Sequence, residues 1–132
     1  MKRVYAVAVL AAVVAMGITC KDGTGPVAGE LNVRLTSPNS GADSAIVLTI
    51  VGPRALTSAT PGPGLRLFQQ PLGGTTTRFA LVGRLNAGAT ILTIGVDNVN
   101  AVSQYAGTIQ EVARPDYELR TLGGYALTVV IR

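Results

Sequence analysis

Few residues in this chain could carry chemistry, and the missing types decide as much as those present. Its 132 residues contain no His, no Trp and a single cysteine, Cys20. Without imidazole there is no His base and no His metal site; without a second cysteine there is no CxxC pair and no intramolecular disulfide. No GxSxG elbow occurs, and the only lysine beyond Lys2 is Lys21, so a serine nucleophile has no partner base. Two carboxylates flanking a glycosidic bond could hydrolyse it, and Glu111 with Asp116 or Glu118 is the pair to weigh. Glu111 falls in an expected strand and the other two in the turn after it, with no sign of a cleft. A non-catalytic protein without a cofactor is expected, and an enzyme with a carboxylate site is the alternative.

Two further groups could bind rather than react. Asp97-Asn98-Val99-Asn100 gathers three oxygen-bearing side chains behind a strand. Calcium takes six to eight oxygens, carboxylates among them, so Asp97, Asn98 and Asn100 would need Asp43 or Asp116 to arrive from another loop. The plainer reading has them satisfying local backbone groups in a turn. Arg114-Pro115-Asp116-Tyr117-Glu118 could be a polar recognition loop. The plainer reading is a solvated turn whose Tyr117 packs its ring on the sheet edge. Sugar binding would want a platform of exposed rings, whereas Phe68, Phe79, Tyr105, Tyr117 and Tyr125 are expected to serve the core.

Charge adds little. The chain carries +4 at pH 7, but Lys2 and Arg3 belong to an N-terminal segment treated next, which leaves about +2 over the remainder. The other cations, from Lys21 through Arg34, Arg54, Arg66 and Arg78 to Arg132, are spread singly along the chain. A nucleic-acid binder concentrates them on one face or interleaves them with stacking rings. Nucleic acid is not an expected partner.

The N-terminus carries the strongest signal. Met1-Lys2-Arg3 is cationic, Val4 to Ile18 runs without a charge, and a polar, turn-rich stretch begins at Cys20. These are the parts of a secretory signal peptide. The apolar run is shorter than the roughly 20 residues a permanent membrane helix needs; an uncleaved anchor helix is the alternative. A lone thiol in an exported chain lacks a partner, and nothing in the flanking KDGTGP would bury it.

Gly17-Ile18-Thr19-Cys20 resembles the lipobox of a bacterial lipoprotein precursor, with Gly17 where Leu is usual and Thr19 where a smaller residue is usual. The resemblance implies that residues 1–19 are a signal peptide, that Cys20 is acylated and becomes the first mature residue, and that membrane lipid is a partner. Two or three acyl chains would hold the protein on a bilayer where one would not. Residues 20–29, rich in Gly, read as the lipidated cysteine and a flexible tether. Lys21, rather than Asp, after the cysteine leans toward the outer membrane by the rule for enteric lipoproteins.

From Glu30 onward the dominant period is two, as in half-buried strands. Leu31, Val33 and Leu35 alternate with polar residues; Ala45–Val51 is apolar on both faces and reads as a central strand. Residues 54–64, containing TPGPG, read as a long loop. Further strands are expected over 65–70, 75–82, 89–96, 105–113 and 125–131, with a helical turn over 97–102 and a bulge or close approach at Gly95. On the last strand Tyr125, Leu127, Val129 and Ile131 should face inward. Regular turns without an amphipathic helix predict an all-β fold, a single antiparallel β-sandwich of about seven strands over residues 30–132.

The size of about 110 residues suits an immunoglobulin-like architecture. The stretch 86–131, with NAGATILTIGV, YAGTIQEVA and GGYALTVVI, resembles cohesin-like extracellular β-sandwich modules, which implies binding rather than catalysis. The expectation is a non-catalytic, membrane-anchored envelope lipoprotein, its sandwich a structural or binding module for another envelope protein or a glycan. A calcium-stabilised adhesion-type module is the further alternative.

Overall fold

A computed structural model describes residues 25–132 and shows two four-stranded antiparallel sheets packed face to face. In chain order the strands are β1 Gly29–Thr36, β2 Asp43–Val51, β3 Ser58–Pro61, β4 Arg66–Gly73, β5 Thr76–Leu85, β6 Thr90–Val96, β7 Ala106–Ala113 and β8 Ala126–Ile131. A short 3-10 helix, Val99–Gln104, separates β6 from β7. The first sheet has the order β3-β6-β1-β8 and the second β4-β5-β2-β7. Among the described residues no helix is long and apolar enough to cross a membrane. The expected signal peptide, Cys20 and the first part of the tether, through residue 24, lie outside the described residues.

Alternation builds the core. Leu31, Val33 and Leu35 of β1 and Ile91, Leu92 and Ile94 of β6 meet Ile46, Leu48 and Ile50 of β2 and Phe79 and Leu81 of β5 in one buried cluster. Fully burying side chains of this size stabilises by about 1.5–3 kcal/mol each before chain entropy is subtracted. β2 is central, flanked by β5 and β7, which is why both its faces tolerate apolar residues.

The sandwich is about 30 Å long, from strands of eight to ten residues at roughly 3.3 Å each. At the proximal end the chain enters from residue 25. Gly29 there pairs with Val96, Val51 pairs with Thr76 and Ala106, and the 3-10 helix caps the layer. At the distal end lie the β1–β2 turn and the β7–β8 connection, where Thr36 pairs with Ala126 and Ala45 with Ala113.

Several expectations are corrected. The described residues form eight strands where about seven are expected, because Ser58–Pro61 inside the expected 54–64 loop pairs with Leu92–Gly95 of β6. The ready-made edge of β6 holds this four-residue strand in spite of Pro61, which is tolerated at a sheet edge. β4 runs on through Pro71 to Gly73, and β5 through Gly83 to Leu85. Gly95 makes the close approach and no bulge: a Cβ there would collide with the Thr57 and Ser58 side chains. Tyr125, just before β8, and Leu127 and Val129 on it pack against the core, but Ile131, the last residue of the strand, is 52% exposed. Phe68 and Tyr117 are also outside the core, exposed to 53% and 92%.

Candidate functional site

The β7–β8 connection carries the most unusual local geometry. Tyr117 N–H donates to the Arg114 carbonyl at 3.0 Å, and Arg114 N–H donates to the Glu118 carbonyl at 2.9 Å. Pro115, Asp116 and Tyr117 thus form a three-residue loop between a hydrogen-bonded pair. Such loops place their last residue in the left-handed region, where glycine is the usual occupant. Here that residue is Tyr117, at φ 68°. A bulky side chain in this conformation costs roughly 1–2 kcal/mol.

Side chains brace the turn from within. Asp116 Oδ1 accepts from Glu118 N–H at 3.2 Å, and the Arg114 guanidinium reaches Asp116 at 3.2 Å and Glu118 at 3.4 Å. Proline at the second position presets φ and Asp at the third closes an Asx turn. Nothing packs on the ring of Tyr117. The expected contact with the sheet edge is absent because the left-handed backbone throws the side chain outward, and Leu119 beside it is 63% exposed.

The base of the connection is pinned into the sandwich. The Asp43 side chain is fully buried. Its Oδ1 accepts from Arg120 Nε at 2.8 Å and its Oδ2 from the Tyr125 hydroxyl at 2.5 Å. Tyr125 in turn accepts from Asn39 Nδ2 at 2.8 Å. The hydrogen bond to Asp43, more than Coulomb attraction, holds the Arg120 guanidinium proton more tightly than usual. Charge-assisted bonds of this kind are the strong ones, and they tie the middle of the connection and its C-terminal end to the first residue of β2. Arg120 N–H also donates to the Val112 carbonyl at 2.8 Å. Both carboxylate oxygens are engaged and shielded from water, so this trio is a scaffold.

The residues singled out from sequence fall apart in space. Asp97 sits at the proximal end and pairs with Arg54 at 3.5 Å. Asn98 caps the 3-10 helix, its Oδ1 accepting from Asn100 N–H at 3.1 Å and Val27 N–H at 3.3 Å. Asp43 and Asp116, the carboxylates that calcium would need, are at the distal end. No cluster of three His, Cys, Asp or Glu side chains forms among the described residues. Glu111 lies on the outer face of β7, opposite Val47, while Asp116 and Glu118 are both turned to Arg114. Cys20 lies outside the described residues.

Sequence reasoning missed the buried network. Asp43 was legible only as a loop carboxylate that a calcium site would have to borrow, and Arg120, 77 positions later, as one of the scattered cations. A charged residue opening an apolar strand was the one available hint. The chain matches no protein family, no curated protein and no solved structure.

Proposed function

We propose that the protein is a non-catalytic, lipid-anchored envelope module that presents the Arg114–Leu119 turn to a partner protein. Acylation of Cys20 attaches it to the bilayer, the outer membrane by preference, and residues 21–28 serve as the tether. The observation that carries the binding role is Tyr117: a ring 92% exposed, in a conformation that favours glycine, on a turn braced by two ion pairs. Strain retained in a well-braced exposed turn points to use of the side chain. Tyrosine gives a large contact at low entropy cost and is enriched at binding hot spots. One ring beside Leu119 suits a pocket on a protein better than the extended stacking surface of a glycan. Tyr117 also stands at the opposite end of the sandwich from the tether, about 30 Å away, clear of the chain that leads to the anchor.

The test places a photo-crosslinking amino acid at Leu119 in the full chain in a bacterial envelope. A discrete protein adduct is expected, lost when Tyr117→Gly is added. An adduct unchanged by Tyr117→Gly, or none, overturns the binding role. Cys20→Ser separately tests the anchor: the variant should leave the membrane in a carbonate wash, and full retention would mean that a hydrophobic span holds the chain.

A further inference from the structure

The cations scattered in sequence are gathered by the fold. Arg54, Arg114, Arg120 and Arg132 each pair with a carboxylate among the described residues. Of the arginines left without such a partner, Arg34 lies on the first sheet, whereas Arg66, Arg78 and Arg84 all project from the outer face of β4 and β5. All three are exposed. The acid that shares the outer face of this sheet, Glu111, stands two strands away on β7.

Apolar side chains fill the space between these charges. Phe68 is opposite Ala80, and Val82 opposite Arg66. Phe68 and Val82 are 53% and 42% exposed, and the Arg66 guanidinium lies 5.7 Å from the Phe68 ring centre. Val51 and Leu72 extend the exposed apolar surface to the proximal end, toward the side where the chain enters. The outer face of the first sheet has a different make-up, with Asn32, Thr93 and Thr128 along β1, β6 and β8.

The geometry points to the β4–β5 face as a docking surface for an anionic lipid bilayer. An interface of headgroups and acyl chains offers negative charge to arginine and an apolar layer to Phe68 and Val82 together. Nucleic acid and acidic polysaccharide supply the charge but no aliphatic surface. A folded acidic protein would have to bring carboxylates and apolar side chains into register with Arg66, Arg78, Phe68 and Val82 at once, whereas a bilayer offers both without a register. Docking of this face does not depend on acylation of Cys20, so the anchor and this surface can fail independently.

Because the chain has no tryptophan, Phe68→Trp makes a single reporter in the full protein. Flotation with vesicles reads the anchor; emission at position 68 reads the face. With vesicles of phosphatidylcholine and phosphatidylglycerol, Trp emission should shift to the blue and be quenched by brominated acyl chains. Pure phosphatidylcholine should give neither effect, and a Thr128→Trp reporter on the opposite face should stay unmoved. Replacing Arg66, Arg78 and Arg84 by Ser should weaken the response about fivefold per charge, roughly 100-fold together. Val82→Trp repeats the test should Phe68→Trp perturb the strand. Equal responses on neutral vesicles, movement of both reporters, or an unshifted reporter on a floating protein would overturn the assignment. A shift produced by soluble polyglutamate or heparin without vesicles would also overturn it and make an acidic polymer the occupant.

Discussion

The two ends of the sandwich are built from the same three residue types in opposite arrangements. At the distal end Asp43, Arg120 and Tyr125 form a buried, fully engaged network, while a second tyrosine, Tyr117, stands in solvent. At the proximal end the ion pair of Arg54 and Asp97 is in solvent, with side chains 74% and 43% exposed. There it is the tyrosine, Tyr105, that is buried, its hydroxyl without a partner among the described residues. The difference separates two uses of polar groups. A buried pair holds two chain segments in one geometry, at a desolvation cost that only complete hydrogen bonding offsets. An exposed pair is screened and specifies little. The end that has to hold a strained turn in place is the one with the buried network.

The sharpest way to break this comparison is to remove the carboxylate from each end. Asp43→Ala should cost about 3 kcal/mol, since it leaves the Tyr125 hydroxyl and Arg120 without their acceptor inside the sandwich. Asp97→Ala should cost less than about 0.5 kcal/mol, as for other surface changes. Urea melts of the two variants give the contrast directly, and equal losses would mean the buried network pins nothing.

Next in size is Gly52→Ala at the proximal end. The ring of Tyr105 lies where a Cβ would stand, so the added methyl has to displace a buried aromatic side chain. Overpacking of this kind costs about 1–3 kcal/mol. A thermal melt unchanged from wild type would show that Tyr105 is free to move and that this end is loosely packed.

Tyr117→Gly should have the opposite sign. Glycine relieves the left-handed strain, although it also gives the unfolded chain more freedom, so a net gain of about 0.5–1 kcal/mol is expected. That gain should accompany loss of the crosslinked adduct at Leu119. A stabilised protein that has lost its partner is the signature of a residue kept for binding; a destabilised one would mean the ring supports the fold.

Small too at neutral pH is the effect of Tyr105→Phe, which deletes a buried hydroxyl that has no partner among the described residues and should leave stability within about 1 kcal/mol of wild type. Its signature is in alkali. Burial, helped by Asp97 and opposed by Arg54, raises the phenol above its ordinary value of 10.0. The fold therefore favours the protonated form. The contribution is intact below pH 10 and is lost as pH rises through the higher folded value. The wild-type melting temperature should fall across that window more steeply than that of Tyr105→Phe, and parallel curves would place the alkaline loss elsewhere.

How much of this was legible in the sequence depends on how local the cause is. The period of two in β1 and the apolar run of β2 announced strands because side-chain alternation is a property of the strand itself. The helical turn expected over 97–102 lies two residues later, at Val99–Gln104, and its presence was legible because Asn98 caps its own helix from within two residues. β3 was not legible. Four residues ending on a proline have no intrinsic claim to be a strand, and pairing with β6 makes them one. Tyr117 was misread because the hydrogen bonds that set its backbone belong to the closed turn, and the ring's surroundings follow from where that turn projects.

By itself, the sequence determined the class: an all-β domain with a single core, its strands and most of its turns encoded in alternation and in Gly and Pro. It determined the exclusions too, because residue types that are missing cannot be supplied by folding. Only the tertiary structure decided which charges meet. Asp43 and Arg120 are joined across 77 positions, and Arg66, Arg78 and Arg84 share a face, because strand order and register bring together residues that no local pattern relates. Hydrophobic periodicity acts through near neighbours and survives in one dimension. Charge pairing and surface composition depend on distances in three dimensions, and those distances exist only once the sheets have formed.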